Sequence, residues 1–145
     1  MDIVKSKSFP NEIIVESTTA NLVVVRKFVT EAALRSGIDE DTTNRIVLAV
    51  DEACTNIIRH AYKNISSNPI EVCINQNKNK FEVVITDYGK PFDPNSVKKP
   101  DIKDNLKNYK KGGLGMFLMR SLVDEVDFRR DEGQKNVVRL IKYFN

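Results

Sequence analysis

Apolar positions along the chain change period several times, and each change predicts a new element. Residues 9–15 begin with Phe9 and end with Val15, a short strand pattern. Pro10 near its start places that strand at a sheet edge, where a missing N–H breaks no ladder. Thr18 or Thr19 can cap a helix in which Leu22, Val25, Val29 and Ala33 recur to about Arg35, and Gly37 ends it. A second helix opens at Asp39 or Asp41 and is expected to reach about Lys63. Its buried stripe is Ile46, Val50, Ala53, Ile57 and Ala61.

The period then drops to two. Ile70, Val72 and Ile74 alternate with polar residues, as do Phe81, Val83 and Ile85, and Asn77-Lys78-Asn79 between them suits a hairpin turn. Residues 93–113 are rich in Pro, Lys, Asn and Asp and lack periodicity; a loop that long in a compact domain is a functional lid or a disordered segment. A third helix is predicted from about Leu114 to Val123, with Leu114, Phe117, Leu118 and Leu122 as its apolar face. Two further strands lie near Val126–Arg130 and Val137–Phe144, joined by a turn at Asp131-Glu132-Gly133. The sum is an α+β fold, a two-layer sandwich of helices on one face of a mostly antiparallel sheet.

Composition narrows the class. The 145 residues suit one domain, 1–145, and 41% hydrophobic with 30% charged residues is ordinary for a folded soluble chain. A net charge of +3 makes no case for direct nucleic-acid binding. The first residues lack the apolar core of a signal peptide and no run approaches a membrane span, so the cytoplasm is expected, without a membrane partner. Cys54 and Cys73 form no C-x-x-C pair and fall in apolar segments, which fits reduced buried thiols rather than a zinc site.

Three short elements carry candidate chemistry. Glu52 and Asn56, four residues apart on the second helix, share a face offset from the core stripe. Alone, such a pair is ordinary solvated surface. D-Y-G-K-P-F-D-P begins at Asp87, directly after an apolar strand. Gly89 there would let a flat ligand approach the backbone, although a plain turn reads the same way. K-G-G-L-G-M from Lys111 leads into an apolar helix, whose first N–H groups suit a phosphate but also suit an ordinary helix entry.

Taken together, and in this order, the three elements resemble the nucleotide site of the GHKL ATPases: gyrase, heat-shock chaperones, histidine kinases and MutL. The Glu52/Asn56 helix resembles that family's N box, Asp87-x-Gly89 its first glycine box, and Gly113-x-Gly115 its second. E-A-x-x-N-x-x-x-H, D-x-G-x-P-F-D-P and the G-x-G-M entry extend the resemblance, over nearly the whole chain, to anti-sigma-factor serine kinases of the RsbW/SpoIIAB type. No helix bearing a phospho-acceptor histidine accompanies the motifs. His60 lies on the N-box helix, where a packed or hydrogen-bonded structural role is expected.

The resemblance implies the Bergerat-type ATPase fold, ATP or ADP with Mg²⁺, and named roles. Asp87 would accept from the exocyclic amino group of adenine; guanine has a carbonyl there, so the contact would select ATP. Asn56 would place its side-chain oxygen on Mg²⁺. Gly113, Leu114, Gly115 and Met116 would offer backbone N–H groups to the phosphates. Lys111, with Lys110, would add charge from the lid or form a solvated basic pair. Glu52 would accept the proton of a serine or threonine hydroxyl, although in other branches the matching acid activates water. Arg26 would face a partner or solvent. The implied partners are an anti-anti-sigma antagonist that is phosphorylated, a sigma factor or other regulatory target that is sequestered, and a second copy of the chain. Two readings stay open beside the kinase: an ATP-binding interaction module without significant turnover, and a switch kinase acting on a target that is not a sigma factor.

Overall fold

The computed structural model describes residues 10–91 and 113–144. Phe9 and residues 93–112 of the expected loop, Lys110 and Lys111 among them, lie outside the described residues. Five strands form one sheet in the order β1-β2-β3-β5-β4. They are β1 (Glu12–Glu16), β2 (Pro69–Gln76), β3 (Lys80–Asp87), β4 (Glu125–Asp131) and β5 (Lys135–Tyr143). Every neighbouring pair is antiparallel. Three helices complete the second layer: α1 (Leu22–Arg35), α2 (Glu40–Asn56) and α3 (Gly113–Leu122). The expected α+β sandwich is therefore what the chain forms.

Alternation builds the contact between the layers. Ile70, Val72 and Ile74 on β2 and Phe81, Val83 and Ile85 on β3 are buried with Val138 and Leu140 on β5. They share one core with Val25 and Val29 of α1, Ile46, Val50 and Ala53 of α2, and Met116 and Met119 of α3. Each of these side chains larger than alanine contributes roughly 1.5–3 kcal/mol through removal from water. The β2–β3 hairpin turns where expected, with Asn77 Oδ1 accepting from the Asn79 and Lys80 N–H groups at 2.7 and 3.0 Å.

Several local expectations are corrected. Strand β1 starts at Glu12, beyond Pro10, and is indeed an edge strand. Neither Thr18 nor Thr19 caps α1 through a side chain. A 3₁₀ turn at Thr19–Asn21 leads into the helix, and Asn21 instead donates from Nδ2 to the Glu16 carbonyl at 2.9 Å. Of the two aspartates offered for α2, Asp39 is the cap: its carboxylate accepts from the Thr42 N–H at 3.0 Å, which holds its pKa below the usual value. Gly37 ends α1 in the left-handed region, with φ of 88°.

Two corrections bear on the site. The second helix does not continue as an α-helix to Lys63. After Asn56 it widens into a π turn over Ile57–Ala61, where the Tyr62 N–H donates to the Ile57 carbonyl at 2.9 Å. Lys63 and Asn64 then reverse the chain with φ of 50° and 63°. Helix α3 buries Met116, Met119 and the following Val123, while Phe117, Leu118 and Leu122 are only partly buried. Apolar residues surround most of α3, so its sequence supports two overlapping stripes; of the expected face Leu122 packs against the core, the side chain of Leu114 lies outside what is described, and the buried positions are Met116 and Met119.

Candidate functional site

The site begins with a carboxylate where one is costly. Asp87 ends β3 on the face turned toward the helices and is 4% exposed. Burial pushes its pKa up, against the opposing hydrogen bonds from Asn136 and Gly89. Both bonds fall on one oxygen: Oδ1 accepts from the Gly89 N–H and from Asn136 Nδ2, each at 2.8 Å. Among the described residues no donor is assigned to Oδ2.

The turn after Asp87 is clamped from two sides. The Tyr62 hydroxyl accepts from the Tyr88 N–H at 2.8 Å and donates to the Pro69 carbonyl at 2.7 Å. The Lys90 N–H donates to the Ala61 carbonyl at 2.9 Å. A Cβ on Gly89 would lie 2.5 Å from that same carbonyl oxygen and 2.9 Å from Ala61 Cβ. On the side where a Cβ would stand, the close neighbour of Gly89 is therefore the π turn of the Glu52/Asn56 helix.

Glu52 and Asn56 are half-buried on the last two turns of α2. A Cβ on Gly115 would fall 2.8 Å from Glu52 Oε2 and 3.8 Å from Asn56 Oδ1. The glycine-led start of α3 thus lies directly on the acid–amide pair. Burial, and then the neighbouring Asp51 charge, raise the Glu52 pKa, while Arg59 opposes them. Asp51 itself accepts from Arg26 Nη1 at 2.7 Å, so Arg26 ties α1 to α2.

A cavity of about 580 Å³ joins these parts. Asn56, Arg59 and His60 line it from α2 and the π turn, Met119 from α3, Asp87 and Lys90 from the β3 end, and Phe128, Arg130, Asn136 and Val138 from β4 and β5. Its volume and mixed lining suit a nucleotide-sized molecule. His60 is exposed here and faces the cavity instead of packing. Met116 buries its side chain in the core, so only its backbone remains for a ligand. Gly113 and Leu114 lie in the first turn of α3. Cys54 is buried and free, its thiol pushed up to about 12 by burial and by the Asp51 and Asp87 charges, which suits packing and not nucleophilic chemistry. Cys73 is partly exposed and also free.

Among the described residues no group of three or more His, Cys, Asp or Glu could hold a metal ion. That donor set still fits Mg²⁺ accompanied by phosphate, because this ion keeps waters and needs only one or two protein oxygens. Asn56 Oδ1, beside the start of α3, would be such an oxygen.

Sequence reasoning missed Asn136 and Arg59. Asn136 meets Asp87 only through the pairing of β3 with β5, 49 residues apart in the chain, and no local pattern marks it. Arg59 follows Asn56 by three positions on the same helix, a spacing that could have placed it near the acid–amide face.

A family model for the histidine kinase-like ATPase domain matches residues 15–142. The chain belongs to this family. The ATPase domain is 31% identical over 126 residues to the serine-protein kinase RsbW of Bacillus thuringiensis, an alignment covering 84% of this chain and 77% of the relative. RsbW of Bacillus anthracis is 30% identical over the same coverage. Among solved structures, the RsbU and RsbW domains of a Mycobacterium tuberculosis protein match with a TM-score of 0.65 at 18% identity, covering 93% of the ATPase domain and 32% of that chain. The SiaB–SiaC complex of Pseudomonas aeruginosa matches with a TM-score of 0.58 at 10% identity, covering 96% and 94%. At those identities the solved structures speak to the fold, and the RsbW relatives place the chain among the RsbW-type members of the family. Among the described residues no helix is long and apolar enough to cross a membrane.

Proposed function

We propose that this protein is an ATP-dependent serine/threonine kinase of the anti-sigma type, one domain over residues 1–145 working in the cytoplasm. It phosphorylates an anti-anti-sigma antagonist and holds a sigma factor or a comparable regulatory target by partner switching, as a homodimer. The observation that carries this reading is the convergence at Asn56, which lines the cavity floored by Asp87 and also lies beside Gly115 and Glu52.

Each residue then has a task. Asp87 reads the adenine amino group with Oδ2. The backbone at Gly113, Leu114, Gly115 and Met116 binds phosphate oxygens at the start of α3, where unsatisfied N–H groups favour an anion. Lys111 adds positive charge to the same phosphates. Asn56 gives an oxygen to Mg²⁺, which when bound neutralises charge on the phosphates. Glu52 orients the acceptor hydroxyl and takes its proton; burial makes it a better base than an ordinary glutamate. Phosphoryl transfer has a loose transition state, so position and charge matter more than base strength.

Labelled ATP with candidate antagonists tests the reading. Phosphate is expected on a serine or threonine of the antagonist. Glu52→Gln is expected to lower the rate about 10²–10⁴-fold while ATP binding persists. In the parent, the acidic limb of the rate profile should lie above the ordinary glutamate value of 4.5, because Glu52 must be ionised to act and its pKa is raised. Tight ATP binding with no transfer to any antagonist would identify an interaction module instead.

A further inference from the structure

Three residues from three strands stand in line at one end of the sheet. Asp87 on β3 pairs with Asn136 on β5, and Asn136 pairs in turn with Arg130 on β4. Their side chains repeat that order. Asn136 Nδ2 donates to Asp87 Oδ1 at 2.8 Å and to the Gly89 carbonyl at 3.0 Å, with a longer reach of 3.5 Å to the Lys90 carbonyl. Arg130 Nη1 donates to Asn136 Oδ1 at 2.7 Å. All three residues line the cavity.

A primary amide is nearly symmetric in shape but opposite in polarity at its two ends. Turned over, Asn136 would aim an oxygen at a carboxylate and leave Asp87 facing a repulsive neighbour. Arg130 opposes this from one end, since a guanidinium offers only donors and can face only Oδ1, as the Gly89 and Lys90 carbonyls do from the other. The donors of Arg130 therefore reinforce the polarity of the amide, and the amide sets the carboxylate. With the Gly89 N–H and Asn136 both on Oδ1, the orientation of Oδ2 follows.

We infer that Asn136 is a positioning residue for base recognition, locking Asp87 so that Oδ2 meets an exocyclic amino group, and that Arg130 reinforces the polarity of Asn136. The inference rests on the proposed reading of Asp87 as the adenine contact.

Calorimetry on the full chain separates the two. The ligands are Mg·ATP and the Mg complex of purine riboside triphosphate, which carries hydrogen in place of the adenine amino group. The parent is expected to prefer ATP by about tenfold. Asn136→Leu and Arg130→Met should each cut that preference by about fivefold while leaving the affinity for the analogue little changed. Arg130→Lys, which keeps a cationic donor, should restore it. A merely structural role would weaken both ligands alike. Arg130 is exposed, so its variants remain folded even if Asn136→Leu does not. A parent that binds both ligands equally overturns the reading of Asp87 and this inference with it. A parent that prefers ATP, with both variants keeping the full preference, overturns the inference alone.

Discussion

An ionised carboxylate that is 4% exposed costs free energy unless donors surround it, and among the described residues Asp87 receives its two donors on a single oxygen. On the proposed reading the residue serves ligand recognition at the expense of stability. The direction with pH follows from its raised folded pKa. Below the unfolded value, taken as 3.8, both states carry the proton and no penalty arises. As pH rises from there through the raised folded value, the unfolded chain ionises first and stability is lost. Asp87→Asn removes that loss and can still accept from Gly89 and Asn136 through its amide oxygen. Without nucleotide the variant should be more stable than the parent at neutral pH, with the gap closing as pH falls through that window, while its ATP affinity drops about tenfold. Urea denaturation across a pH series checks the first part and calorimetry the second. A variant less stable than the parent at pH 7, or a gap that ignores pH, would contradict the assignment of Asp87 as a strained carboxylate.

Two glycines divide the work of the elements. Gly89 meets the backbone of the π turn, where an added methyl would lie 2.5 Å from the Ala61 oxygen and the 2.9 Å Lys90–Ala61 bond would have to open. Gly115 meets the far end of Glu52, a side chain that can swing aside. Gly89→Ala should therefore destabilise the nucleotide-free protein by about 1–3 kcal/mol through overpacking. Gly115→Ala should leave the melting temperature nearly unchanged and, if Glu52 is the base proposed above, slow phosphoryl transfer about a hundredfold, because its carboxylate is displaced. Thermal melts with transfer rates on both variants decide; equal melting loss in the two would refute the distinction. The π turn also explains part of what the sequence hid. Ile46, Val50, Ala53 and Ile57 follow helical spacing so well that nothing local announces the widening after Asn56. Helix α3 hid its phase for the opposite reason, since apolar residues on most sides leave no single face to read. By contrast Asp39, Gly37 and the Asn77 turn were legible because capping and turn chemistry act within a few residues.

At the scale of the whole molecule, element order and the antiparallel sheet follow from periodicity, whereas the site depends on register. The pairing of Asp87 with Asn136 and of Asn136 with Arg130 is fixed only when β3, β5 and β4 assemble, so this end of the cavity, proposed above to read the base, exists only in the folded sandwich. The cavity also spans both layers, with Asn56 and Met119 on the helical side and Asp87, Phe128 and Val138 on the sheet. A nucleotide bound there contacts the assembled molecule and not the unfolded chain, so binding adds to global stability. At a free concentration one hundred times Kd the gain is about 2.7 kcal/mol. ATP with Mg²⁺ should raise the melting temperature accordingly. Chelation of the metal should reduce the rise without abolishing it, because in the proposed site the oxygen of Asn56 would be one contact among several that include Asp87 and the α3 backbone. GTP at the same concentration should produce almost none, since its carbonyl would face the Oδ2 that Asp87 holds ready for a donor. Melts with the two nucleotides, each with and without chelator, read this directly. Equal stabilisation by GTP and ATP would remove the base-reading role of Asp87, and with it the reason for an ionised aspartate to be buried at the end of β3.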